Sequence, residues 1–138
     1  MRMIAIPMAM LLAAAPAAAQ QAAPRLSIAP GESVTVRIVD AGFVELARTR
    51  GEPDGPRAED TIRFTFTDMG GMLMLHAENG YARAFRYRAR MVGGGRSANT
   101  SMCTVLPRIA TFETWADRID RLELREPQLT DDTEMACR

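Results

Sequence analysis

Few residues in this chain have the chemistry for a reaction, and their spacing limits what they can do. His76 is the only histidine, so any Ser-His-Asp or Cys-His arrangement must be built around it. Glu78 lies two residues on, yet no serine sits in a Gly-x-Ser-x-Gly elbow, and a base without a placed nucleophile defines no reaction. A second chemistry is available to the same residue. In Met72-Leu73-Met74-Leu75-His76 two thioethers and an imidazole alternate with leucines, so on a strand the three donors share one face at steps of about 6 to 7 Å. Soft sulfur with imidazole favours Cu(I).

In its donors this set resembles the Met/His-rich sites of periplasmic copper-binding sandwiches. Those sites commonly draw on further histidines, which this chain does not have. Packing is the competing use of the methionines, because flexible thioethers fill cores and make favourable contacts with aromatic rings. Cys103 and Cys137 are the only cysteines. They lie too far apart for a Cys-x-x-Cys redox pair, so a structural disulfide holding the acidic tail is expected. Gly93-Gly94-Gly95 followed by serines and threonines lacks the lysine and spacing of a phosphate-binding loop.

The element expected to position the Met/His set is a hairpin. Asn79-Gly80 separates two extended runs, and a type I′ turn favours this dipeptide because both central residues need φ > 0. The implied register places Met72, Met74, His76 and Glu78 opposite Tyr87, Phe85, Arg83 and Tyr81. Leu73, Leu75 and Ala77 then fall on the other face with Arg86, Ala84 and Ala82. The first face reads as a core layer with His76 and Arg83 at its edge. The second, with Leu73, Leu75, Arg86, Arg88 and Arg90, mixes aliphatic and guanidinium groups and reads as an interaction face for a protein partner or for self-association.

The rest of the chain is strand-like. Leu26 to Ile28 precedes a Pro30-Gly31 turn. Val34, Val36 and Ile38 alternate with polar residues, as do Ile62, Phe64 and Phe66, the pattern of half-buried strands. Phe43 to Ala47 is a further run, with either Phe43 or Val44 and Leu46 inward. Arg48 to Asp60 is a polar loop rich in Gly and Pro. Met102 to Leu106 reads as a strand, and Arg121 to Glu126 as a last one ending before Pro127. Ile109, Phe112, Trp115 and Ile119 recur at helical spacing, which predicts at most one short helix near Phe112 to Ile119. The fold class is therefore all-β: a small antiparallel β-sandwich, immunoglobulin-like, over residues 26–138, with a small barrel as the alternative.

Residues 1–19 run from Arg2 through an apolar stretch to Ala17-Ala18-Ala19, the order of a secretory signal peptide. Residues 20–25 form a flexible lead. The 17 basic residues are all arginine and balance 17 acidic ones, which argues against nucleic acid as a partner. Pro7 and Pro16 interrupt an apolar run too short to span a bilayer, so no stable membrane insertion is expected. These features predict a periplasmic or secreted protein: a non-catalytic binding or structural accessory module of the cell envelope, or alternatively a periplasmic copper-binding protein using Met72, Met74 and His76.

Overall fold

Alternating apolar and polar residues between turn-forming ones become nine strands in the computed structural model, which describes residues 21–138. The expected leader, residues 1–19, lies outside the described residues. The strands are β1 (Arg25–Ile28), β2 (Glu32–Val39), β3 (Gly42–Arg50), β4 (Ile62–Asp68), β5 (Leu73–Asn79), β6 (Ala84–Gly93), β7 (Arg96–Thr100), β8 (Ala110–Trp115) and β9 (Arg121–Thr130). They form a five-stranded sheet in the order β3-β2-β4-β5-β8 and a four-stranded sheet in the order β1-β9-β6-β7, with every strand pairing antiparallel. These orders establish a two-sheet β-sandwich; they do not establish the immunoglobulin topology.

The inner faces meet in one core. Val34, Val36, Ile62, Phe64, Phe66 and Leu75 from the larger sheet are fully buried, as are Ile28, Phe85, Leu122 and Leu124 from the smaller. Phe64 lies across the sandwich from Phe85 and Tyr87, with ring centroids at 6.1 and 5.5 Å. Phe66 meets Trp115 edge-on at 6.2 Å. Each such side chain stabilises the fold by roughly 1.5 to 3 kcal/mol through burial.

The expected β5–β6 hairpin does not form. β5 pairs with β4 and β8 in one sheet, while β6 pairs with β7 and β9 in the other, so Asn79-Gly80 begins a crossing between sheets. Neither residue has positive φ. Asn79 is fully buried, and its amide Nδ2 donates to the carbonyls of Arg83, Val105 and Leu106 at 2.8, 3.2 and 3.2 Å. Its Oδ1 accepts from the Tyr81 N–H at 2.9 Å. Gly80 is required for a different reason: a Cβ there would sit 2.3 Å from the Ala58 carbonyl oxygen. Residue pairs with positive φ turn the chain at Asp40-Ala41, joining β2 to β3, at Gly70-Gly71, between β4 and β5, and at Gly94-Gly95, joining β6 to β7.

Other expectations change with the sheet assignment. Residues 110–115 form strand β8 and no helix, so the helical spacing of Phe112 and Trp115 is coincidental: Trp115 is buried and Phe112 points outward, 60 % exposed. Residues 102–106 make only isolated bridges, Cys103 to Cys137 and Val105 to Phe85. β9 continues through Pro127, where the ladder with β6 is shifted between Arg86 and Arg88; a residue without an N–H is tolerated at such a bulge. Both Phe43 and Val44 are buried, and Leu46 is exposed. The lead expected to be flexible is tied by Ala23, which exchanges two 2.8 Å backbone hydrogen bonds with Phe43.

Cys103 and Cys137 are disulfide-bonded. The closed loop, with a sequence separation of 34, contributes roughly 3 to 4 kcal/mol on the loop-entropy account. Met102 and Arg138 exchange backbone hydrogen bonds at 2.7 and 2.8 Å beside it, so the tail lies along the smaller sheet.

Candidate functional site

On the outer face of the larger sheet, strand pairing aligns Ser33, Thr65, His76 and Phe112 in one row across β2, β4, β5 and β8. The His76 and Phe112 rings stack with centroids 4.4 Å apart and planes 1° apart. In the adjacent row Arg63 faces Glu78, and Arg63 Nε donates to the Glu78 carboxylate. Burial pushes the Glu78 carboxyl up, but the Arg63 hydrogen bond and charge, aided by His76 and Arg57, outweigh it and hold its pKa below the ordinary value. Residues 51–60 fold over this face: Gly51 and Gly55 carbonyls accept from Ser33 and Arg63. The result is a cleft of about 280 Å³ whose lining includes Glu52, Arg63, Met74, His76, Glu78 and Phe112.

Met74 and His76 therefore share a face, as the spacing predicts. That face is an outer one and no core layer. Met72 precedes β5, is 45 % exposed and does not line the cleft. Among the described residues, no group of three or more His, Cys, Asp or Glu side chains is placed to hold a metal ion. The expected pairing of Met72 and Met74 with Tyr87 and Phe85 is absent because β5, which carries Met74 and follows Met72, and β6, which carries Phe85 and Tyr87, belong to opposite sheets. Arg83, expected opposite His76, instead donates to Asp131 at 2.9 Å.

Leu73 and Leu75 do not lie on an outer face. Both are buried in the core, because β5 is registered against β4 so that Leu75 lies beside Phe66 and Ala77 beside Phe64. The arginines expected to accompany them lie on the far side of the sandwich. Arg86 is bonded to Asp132 at 2.8 Å and Arg88 to Glu126 at 2.9 Å, while Arg90 faces Glu123 on β9 and donates to Ser97.

The smaller sheet's outer face holds an arrangement that the hairpin register concealed. Arg25 of β1, Arg125 of β9 and Arg88 of β6 are direct cross-strand partners, giving a ladder of three guanidinium side chains over three adjacent strands. Glu126, on Arg88, is the one carboxylate paired with the ladder among the described residues. Arg125 Nη2 donates to Asn99 Oδ1 at 3.0 Å, and its buried Nε has no hydrogen-bond partner. A cleft of about 190 Å³ opens beside the ladder, lined by Arg88, Ala89, Asn99, Thr100, Ser101, Arg125 and Arg138. A second, of about 160 Å³, lies under the tail between Arg86, Arg88 and Arg138.

Arg25 and Arg125 are the residues that sequence reasoning missed. Alternation with Leu26 and Leu124 marks each as outward-facing, but their adjacency depends on β9 lying between β1 and β6. Opposed like charges destabilise a sheet, so this ladder is the least expected charge pattern in the molecule. No protein-family model, curated protein or solved structure matches this chain.

Proposed function

We propose that this protein is an exported, non-catalytic binding or structural accessory module of the cell envelope, which recognises its partner through the arginine face of the β1-β9-β6-β7 sheet. The observation that carries this reading is the Arg25–Arg125–Arg88 ladder. Three guanidinium groups in one row with a single carboxylate paired to them, Glu126 on Arg88, form a ready surface for a partner of opposite charge. The disulfide suits an oxidising compartment, and no helix among the described residues is long and apolar enough to cross a membrane. Co-sedimentation with washed envelope fragments tests the reading: the purified protein is expected to be retained at low salt and released at high salt. A double charge reversal, Arg88→Glu with Arg125→Glu, is expected to abolish retention without loss of folding. Retention equal to wild type would refute recognition through this face. Mass measurement of periplasmic protein checks the processing site near Ala19.

The copper-binding reading rests on Met74 and His76 lining one cleft. With Met72 outside it, two donors remain on that strand. Competition against a Cu(I) chelator tests them: retention of copper at micromolar chelator, lost in Met74→Leu and in His76→Ala, is the result that supports the reading.

A further inference from the structure

We infer that the cleft beside the arginine ladder is a binding site for an oxyanion, a phosphate, sulfate or carboxylate group held between Arg88 and Arg125. The inference rests on the recognition reading above and gives its partner a chemistry. Three observations lead to it.

The first is charge. Arg25, Arg125 and Arg88 lie directly opposite one another, whereas in the next row Arg90 is opposed by Glu123 and across the sandwich Arg63 is opposed by Glu78. At those two places an arginine faces a carboxylate, whereas in the ladder row arginine faces arginine, and only Arg88 has an ion-pair partner there, Glu126 at 2.9 Å, among the described residues. The second is the lining. None of the residues around the 190 Å³ cleft is Asp or Glu, and Asn99, Thr100 and Ser101 supply neutral polar groups next to the guanidinium groups. Thr100 Oγ1 already accepts from Trp115 Nε1 at 2.9 Å, which leaves its own proton to donate. The third is an unmet donor: Arg125 Nε is buried with no partner while Nη2 is fixed by Asn99. A guanidinium held in one orientation with donors to spare is suited to bidentate capture of a tetrahedral or planar oxyanion.

The ligand group would neutralise the ladder, so binding and stability are linked. Without the anion, removing one ladder arginine relieves repulsion. With the anion, the same change removes a ligand contact. A structural arginine shows neither behaviour.

The test uses the purified protein in phosphate-free buffer. Inorganic phosphate is titrated while the backbone amide NMR signals and the melting temperature are followed. Saturable shifts are expected at Asn99, Ser101 and Arg125, with a rise in melting temperature. Arg125→Gln should melt at or above the wild-type temperature without phosphate, and bind phosphate about tenfold or more weakly. Arg25→Gln, on the edge strand, should weaken binding less, and Arg50→Gln on the other sheet should leave it unchanged. Vesicles locate the source of the group. Retention on phosphatidylglycerol but not phosphatidylcholine vesicles, lost in Arg125→Gln, places it on a lipid headgroup; a phosphate response without vesicle retention places it on a soluble ligand. A lower melting temperature for Arg125→Gln in phosphate-free buffer, or a phosphate response unchanged by Arg125→Gln, overturns the site. If neither phosphate nor anionic vesicles produce a response while envelope fragments still retain the protein in an Arg125-dependent way, the oxyanion inference fails and the recognition reading stands.

Discussion

Across the five-stranded sheet Arg63 has Glu78 beside it; across the four-stranded sheet Arg125 has an arginine on each side. The alternation that builds both faces is the same, and the strand that lies next door determines the electrostatics. On the first face the pair is largely withdrawn from water, with side chains 11 % and 18 % exposed, and loop 51–60 covers it. On the second, Arg88 and its partner Glu126 stand 58 % and 68 % exposed. One face uses its charge to hold the fold, while the other leaves its charge at the surface.

The largest effect tests the premise that the leucines of β5 belong to neither face. Leu75→Asp is expected to abolish cooperative unfolding by circular dichroism, because an unpaired carboxylate in that core costs more than about 4 kcal/mol. A folded, soluble variant would return Leu75 to an outer face. Next in size, Asn79→Ala removes the donor and acceptor that fix the crossing between sheets. A loss of about 3 kcal/mol in urea unfolding is expected, and an unchanged midpoint would mean that the buried amide does not hold the crossing.

Arg63→Met should then cost about 2 kcal/mol, because it strands a half-buried carboxylate. The Glu78 pKa is lowered in the fold, so the stability it contributes is fully present above the carboxyl's unfolded value of about 4.3 and disappears as pH falls through the depressed folded value. Melting curves across that acid range should converge for wild type and Arg63→Met; curves that stay parallel would deny the pair this role. The smallest change is Arg88→Gln, expected to shift stability by no more than about 0.5 kcal/mol. A shift several times larger would make Arg88 structural and weaken the contrast between the faces.

Much of the architecture was legible from alternation. Ile62, Phe64 and Phe66 announce a strand with one buried face, and they are fully buried. The Cys103–Cys137 bridge followed from counting. The error came from a dipeptide. Asn79-Gly80 carries a strong local signal for a turn, but local chemistry cannot distinguish a glycine needed for positive φ from one needed for close approach. Gly80 is the second kind and Gly94 the first. That single assignment put β5 and β6 in one sheet, turned Leu73 and Leu75 outward and hid Arg25 and Arg125, whose adjacency depends on pairing between segments about a hundred residues apart in sequence. Phe112 misleads for a related reason: a stripe spaced by three and four also fits a strand that buries only Trp115 at its end.

The disulfide has a consequence beyond stability. Asp132, Ala136 and Arg138 reach the arginine face from a tail with no strand of its own after Thr130. Tethered at Cys137, the tail meets that face as an intramolecular neighbour at high effective concentration. Reduction of the bond would remove that tether and leave the tail to its backbone hydrogen bonds with Met102 and Thr104 and the Arg86–Asp132 ion pair. The wall that Arg138 contributes to both clefts is thus carried by a chain end that the Cys103–Cys137 bond keeps within reach of the arginine face.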